Sequence, residues 1–172
     1  AVDVRIDGFR VERAPEWRGQ RVFVRHEVGG KAYELRLSEE SAGTQKLMGL
    51  AAYLMTALER GGTVVVDELD AKLHPKLLRY VILLFKDPEV NKSGAQLIFS
   101  SQDVSTMRND VFRRDEIWFA ARGEGEASQL WSLADIHEAN GNLVSKNAAF
   151  DKQYLSGRYG ADPYLTRIEE WD

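Results

Sequence analysis

Two adjacent carboxylates, Asp67 and Glu68, follow directly on the run Thr63-Val64-Val65-Val66. One acid that supports Mg²⁺ and a neighbour that orients an attacking water are the two acidic roles that phosphoryl transfer requires. A second polar cluster, Ser41-Ala42-Gly43-Thr44, stands at the start of a helical pattern. Free N–H groups and the positive end of a helix dipole favour phosphate there. Gly43 lets the backbone come close, and the hydroxyls of Ser41 and Thr44 add donors. The same four residues also read as an N-cap and tight turn. A third cluster, Ser100-Ser101-Gln102-Asp103, ends the apolar run Gln96-Leu97-Ile98-Phe99. Taken singly, it is a polar strand end, and Asp67-Glu68 is a surface acid pair.

The elements that must position these groups follow from periodicity. Val64 to Val66, announced by Gly61-Gly62, predict a doubly buried central strand of a parallel sheet. Ligands gather at the carboxyl ends of such strands. Leu47, Leu50, Ala51, Leu54, Met55 and Leu58 recur at helical spacing from Ser41 to a stop at Gly61. Pro75 suits the first position of a second helix, whose apolar side is Leu77, Leu78, Val81, Ile82, Leu84 and Phe85 and whose end is Asp87-Pro88. Upstream, Val2 to Ile6 and Phe9 to Glu12 alternate, and Arg21–Arg25 and Ala32–Leu37 flank Gly29-Gly30 as a hairpin. Gly30-Lys31 imitates the end of a phosphate-binding loop, but Arg25 and Ala32 stand where that motif needs glycine and hydroxyl. Downstream, residues 116–120 and 128–133 flank Gly123–Gly125 as antiparallel edge strands, with Trp118 expected opposite Trp131. A short helix is expected over 148–155. Arg108, Arg113 and Arg114 read as a solvated helix face, and His26 and His137 as structural.

The 172 residues suffice for one domain with a real core, and the hydrophobic and charged contents of 44% and 29% are those of a globular protein. A net charge of -4 makes no global case for nucleic acid or a membrane surface. The absence of cysteine excludes disulfides, thiolate metal sites and cysteine nucleophiles. No segment reaches transmembrane length and residues 1–20 are too charged for a signal peptide, so the expected address is cytoplasmic.

Together, the order of these clusters resembles the C-terminal half of an ABC-type ATPase of the SMC/RecF-like group, nearest to the OLD-like and phage-defence AAA ATPases. The phrases that carry the resemblance are Glu40–Leu47, Asp67–Pro75 and Gly157–Ala161. The resemblance implies an α/β fold, the C-terminal part of a P-loop NTPase, with a mostly parallel sheet, flanking helices and antiparallel edge strands. It implies ATP and Mg²⁺ as cofactors and a second copy of the chain as partner in a head-to-tail ATP sandwich. An effector protein or DNA would lie beyond that.

Residue by residue, Ser41, Ala42, Gly43 and Thr44 match the signature, which in such enzymes touches the γ-phosphate held by the opposite subunit. Asp67 matches the Walker B aspartate that supports Mg²⁺, and Glu68 the general base. His74 falls on the D-loop, which crosses to the partner. Gln102 stands where these enzymes usually carry a switch histidine; it can donate to phosphate but carries no proton or charge. No Walker A motif occurs, so the chain resembles the C-terminal lobe of a longer protein and is expected to bind ATP poorly by itself. Two other readings compete. One is a non-hydrolysing interaction module, and the other a metal-dependent phosphoesterase using Asp67, Glu68, Asp70 and His74.

Overall fold

A computed structural model describes residues 4–13, 20–122, 127–138 and 141–161. The expected strand start at Val2 and the Gly123–Gly125 turn lie outside these residues. The chain opens with a three-stranded antiparallel sheet, β1 (Val4–Arg13), β2 (Gln20–Val28) and β3 (Lys31–Arg36). Pairing of β1 with β2 shifts between Ile6 and Gly8, so the glycine that breaks the alternation marks an irregularity within one strand. Gly29 and Gly30, at φ of 58° and 75°, form the two-residue turn between β2 and β3. Positive φ at both central positions is what such a hairpin demands.

Helix α1 (Ala42–Arg60) runs from Ser41 to Gly61 as its spacing predicts. Gly61, at φ of 74°, could carry no side chain, because a Cβ would stand 2.6 Å from the Ser93 carbonyl. Strand β4 (Thr63–Val66) follows, then helix α2 (Pro75–Lys86) with Pro75 in its first turn, and strand β5 (Gln96–Phe99). β4 and β5 pair in parallel, Val65 opposite Ile98 and Val66 opposite Phe99. This is the one parallel pairing among the described residues.

Burial of the pair is one-sided, contrary to the doubly buried strand that the valine run suggests. Val65 and Ile98 are 73% and 56% exposed, while Val66 is buried with Leu54 of α1 and Leu78, Val81 and Ile82 of α2. Val64, Leu97 and Phe99 pack against that same cluster. Both helices therefore cover one face, and the period of two turns every second side chain away from them. Met55, expected on the core side of α1, is 59% exposed; Leu54 and Ala57 carry that side instead.

A second cluster gathers Ile117, Phe119, Leu133, Val144, Phe150 and Tyr159. It lies on the hairpin of β6 (Trp118–Arg122) and β7 (Ser128–Ser132) and on α3 (Phe150–Leu155). The two tryptophans do not face each other. Trp118 pairs with Ser132 and is 57% exposed, whereas Trp131 pairs with Phe119, their rings 6.1 Å apart. A register one residue from the expected one sends them to opposite faces. Trp131 Nε1 donates to the carbonyl of Tyr159 at 3.1 Å, which ties the Gly157–Ala161 segment to the hairpin. Burial pushes the Tyr159 phenol up to about 12.

Phe112 packs against both clusters. The arginines around it lie on turns and a short 3₁₀ segment rather than on an α-helix. Arg108 pairs with Asp110 and Arg113 with Asp115, while Arg114 donates to the carbonyl of Val144. Among the described residues no helix is long and apolar enough to cross a membrane.

Candidate functional site

Parallel pairing brings the ends of β4 and β5 to one edge, and with them the second and third polar clusters. Ser100 N–H donates to the Val66 carbonyl at 3.1 Å, and Leu69 N–H donates to the Ser100 carbonyl at 3.0 Å. The chain after β4 is thus wrapped over the end of β5. Asp67 and Glu68 lie inside this wrap and are both exposed. Ser100 Oγ donates to Asp67 Oδ1 and accepts from the Glu68 N–H at 2.7 Å. Gln102 Nε2 reaches Glu68 Oε1 at 3.4 Å.

The Glu68 backbone is at φ of 48°, a left-handed conformation that a residue with a side chain seldom adopts. It is held from two sides: Ser100 takes its N–H, and Lys46 Nζ of α1 donates to its carbonyl at 2.5 Å. Strain of this kind persists only where surrounding contacts over-determine it. It aims one carboxylate with its backbone fixed at both ends. The sequence places Ser100 in the third polar cluster without giving it a role of its own. The signal for Ser100 was its place at the end of the strand beside the acid pair; nothing in the sequence singles out Lys46.

The first cluster is capped as an ordinary helix start. Ser41 Oγ accepts from Thr44 N–H at 3.1 Å and lies 2.9 Å from Thr44 Oγ1. Ser41 and Ala42 are exposed, and Gly43 and Thr44 half-buried. The first intrahelical bond runs from Gln45 N–H to the Ser41 carbonyl at 3.0 Å, so the first-turn amides of Ala42 and Gly43 precede the helical ladder. Gln45 Nε2 donates to the Glu40 carbonyl at 2.7 Å, and Glu40 Oε1 meets His26 Nε2 of β2 at 2.5 Å. His26 thereby fastens the antiparallel sheet to the helix entrance, a structural role.

Gly43 sits against the segment that follows the acids. A Cβ on it would stand 2.8 Å from the Lys72 carbonyl, a backbone atom with little freedom to retreat. Gly49, on the same helix, has nothing within 4 Å of an added Cβ. One substitution should therefore have opposite signs at the two positions. Gly49→Ala is expected to stabilise by about 0.5–1 kcal/mol through helix propensity. Gly43→Ala is expected to destabilise by about 1 kcal/mol or more, because overpacking outweighs that gain. Urea unfolding of the two variants measures it, and equal shifts would dismiss the close approach.

His74 caps α2: its Nδ1 accepts from the Lys76 N–H at 3.1 Å, and the side chain is exposed. Asp70 turns toward Gln102, Oδ2 accepting from its N–H at 3.3 Å, while Oδ1 is buried with no partner among the described residues. Glu68 and Asp70 thus share Gln102 as a neighbour, while Asp67 faces Ser100 and His74 faces the start of α2. Among the described residues no three His, Asp or Glu side chains come together as a metal cage. Mg²⁺ in nucleotide sites needs only one or two carboxylates, because phosphates and water supply the rest. The exposed Asp67 carboxylate, one oxygen steadied by Ser100, fits that demand.

A solved structure reported under "Structural biochemistry of ATP-driven dimerization and DNA stimulated activation of SMC ATPases" is similar to this chain, with a TM-score of 0.48 and 17% identity. The likeness covers 76% of this chain and 73% of that one. A comparison with curated proteins finds no match. The family model described as "AAA domain, putative AbiEii toxin, Type IV TA system" matches residues 2–108, a span that holds Ser41–Thr44, Asp67, Glu68, His74 and Gln102. The chain belongs to that AAA domain family, and is an ATPase-type nucleotide-binding module of mixed α/β class.

Proposed function

We propose that this chain is the lobe of an ABC-type ATPase that supplies the signature, Walker B, D-loop and switch segments, and that it works in the two-copy, head-to-tail arrangement. The carrying observation is the shared edge of β4 and β5, where Glu68 is gripped through its backbone and Gln102 reaches its carboxylate at 3.4 Å. In this reading Glu68 accepts the proton of the attacking water. Asp67 would hold Mg²⁺, which when bound would neutralise phosphate charge on ATP. Ser41, Ala42, Gly43 and Thr44 approach the γ-phosphate of the neighbouring copy through hydroxyls and first-turn amides. His74, already occupied in capping α2, orients the D-loop segment toward that neighbour. Gln102 senses phosphate by hydrogen bonding alone.

The loop that cradles the β-phosphate would come from another lobe, and hydrolysis would drive an effector, either a defence protein or one that acts on DNA. Calorimetric titration of this chain with ATP and Mg²⁺ should show no micromolar binding, since its cradle and lysine are not among these residues. In a protein carrying both lobes, ATP and Mg²⁺ should double the mass seen by light scattering, and Ser41→Arg should prevent this. Micromolar binding to this chain alone, or no pairing of the two-lobe protein, would overturn the reading. The glutamine at position 102, which transfers no proton, favours a second reading as a non-hydrolysing module; the Glu68 substitution discussed below separates the two.

A further inference from the structure

We propose that Ser100 is the positioning residue that sets both acids of the site at once. The inference rests on the roles given above to Asp67 and Glu68. A hydroxyl is both donor and acceptor, and Ser100 uses both capacities on adjacent residues. It donates to Asp67 Oδ1 and accepts from the Glu68 N–H at 2.7 Å. The result is a chain of hydrogen bonds running from the Glu68 peptide through Oγ to the Asp67 carboxylate. Such chains polarise along their length, so each bond strengthens the next.

The backbone around Ser100 is fixed independently of its side chain. Its N–H donates to the Val66 carbonyl at 3.1 Å, and its own carbonyl accepts from Leu69 N–H at 3.0 Å. Removing the hydroxyl should leave these two bonds and the strand pairing in place. What it should release is the N–H side of the Glu68 peptide at φ of 48°, whose carbonyl would keep its bonds from Lys46 Nζ and from Ala71 N–H at 3.1 Å. Asp67 would lose the donor that holds one oxygen and so leaves its orientation defined. Gln102 meets Glu68 only at the far end of the side chain, and cannot replace either bond.

The test has two arms. In the chain itself, amide hydrogen exchange in Ser100→Ala should quicken at Glu68 by about tenfold, the scale of one lost hydrogen bond. Exchange at Leu69 and at residue 100 should not change, and Ser100→Thr should restore the Glu68 value. In the two-lobe protein, Ser100→Ala should lower turnover and raise the half-saturating Mg²⁺ concentration, together by roughly 10–100-fold, with Thr again recovering both. Unchanged Glu68 exchange overturns the proposal. So does unchanged turnover and Mg²⁺ dependence in Ser100→Ala where Glu68→Gln abolishes turnover. If Glu68→Gln has no effect, the ATPase reading fails instead, and the exchange arm still decides whether Ser100 sets the Glu68 backbone.

Discussion

Glu68→Gln in the protein carrying both lobes is expected to lower steady-state ATP hydrolysis by about 10²–10⁴-fold, the range for loss of a positioned general base. Nucleotide binding should be unaffected. The substitution is clean because the backbone of Glu68 is fixed by others: Ser100 Oγ holds its N–H and Lys46 Nζ its carbonyl. A carboxamide has the same outline, and its oxygen can still accept from Gln102 Nε2. What it cannot do is take a proton from water. ATP-driven pairing should persist or last longer, since the closed state is no longer discharged. Phosphate-release kinetics measure the rate. An unchanged rate rejects Glu68 as the base and favours the non-hydrolysing module.

Leu69→Ala is expected to cost about 2–5 kcal/mol, the range for truncating a buried leucine. Leu69 is fully buried between the two exposed acids and Asp70, in a cluster with Leu54, Val66, Leu73 and Leu78. Its side chain is the anchor that lets an exposed acidic turn stand on a packed base. The surroundings cannot collapse easily, because strands, helices and the 69–73 turn all contribute walls to the same cluster. The urea midpoint should fall accordingly, and the melting temperature by about 2–4 °C for each kcal/mol. A loss below about 1 kcal/mol would mean that the turn after β4 is not seated in the core.

Much of this arrangement is legible in the amino-acid sequence. The Gly29-Gly30 turn, the limits of α1 at Ser41 and Gly61, and Pro75 opening α2 each follow from a residue whose backbone chemistry admits few alternatives. The acid pair and the 100–103 segment were expected at strand ends, and parallel pairing brings them to a common edge. Three things were not legible. Whether a strand such as Val64–Val66 is covered on one face or two depends on what packs against it, and three valines read alike in both cases. The β6–β7 register is set by pairing, and one residue decides whether Trp118 meets Trp131 or Ser132. The grip on Glu68 joins residues 22 and 32 positions away, at Lys46 and Ser100, through bonds to its backbone, and sequence patterns report side-chain types rather than backbone partners.

Gly43 rests on the carbonyl of Lys72 with no room for even one carbon between them. No rotamer stands at that junction to soak up a displacement, so the start of α1 and the stretch leading into α2 must travel together or part altogether. Three residues along the same helix, Lys46 is tethered to the peptide of Glu68. The entrance of α1 and the acid edge therefore share two direct contacts, Gly43 against Lys72 and Lys46 on Glu68.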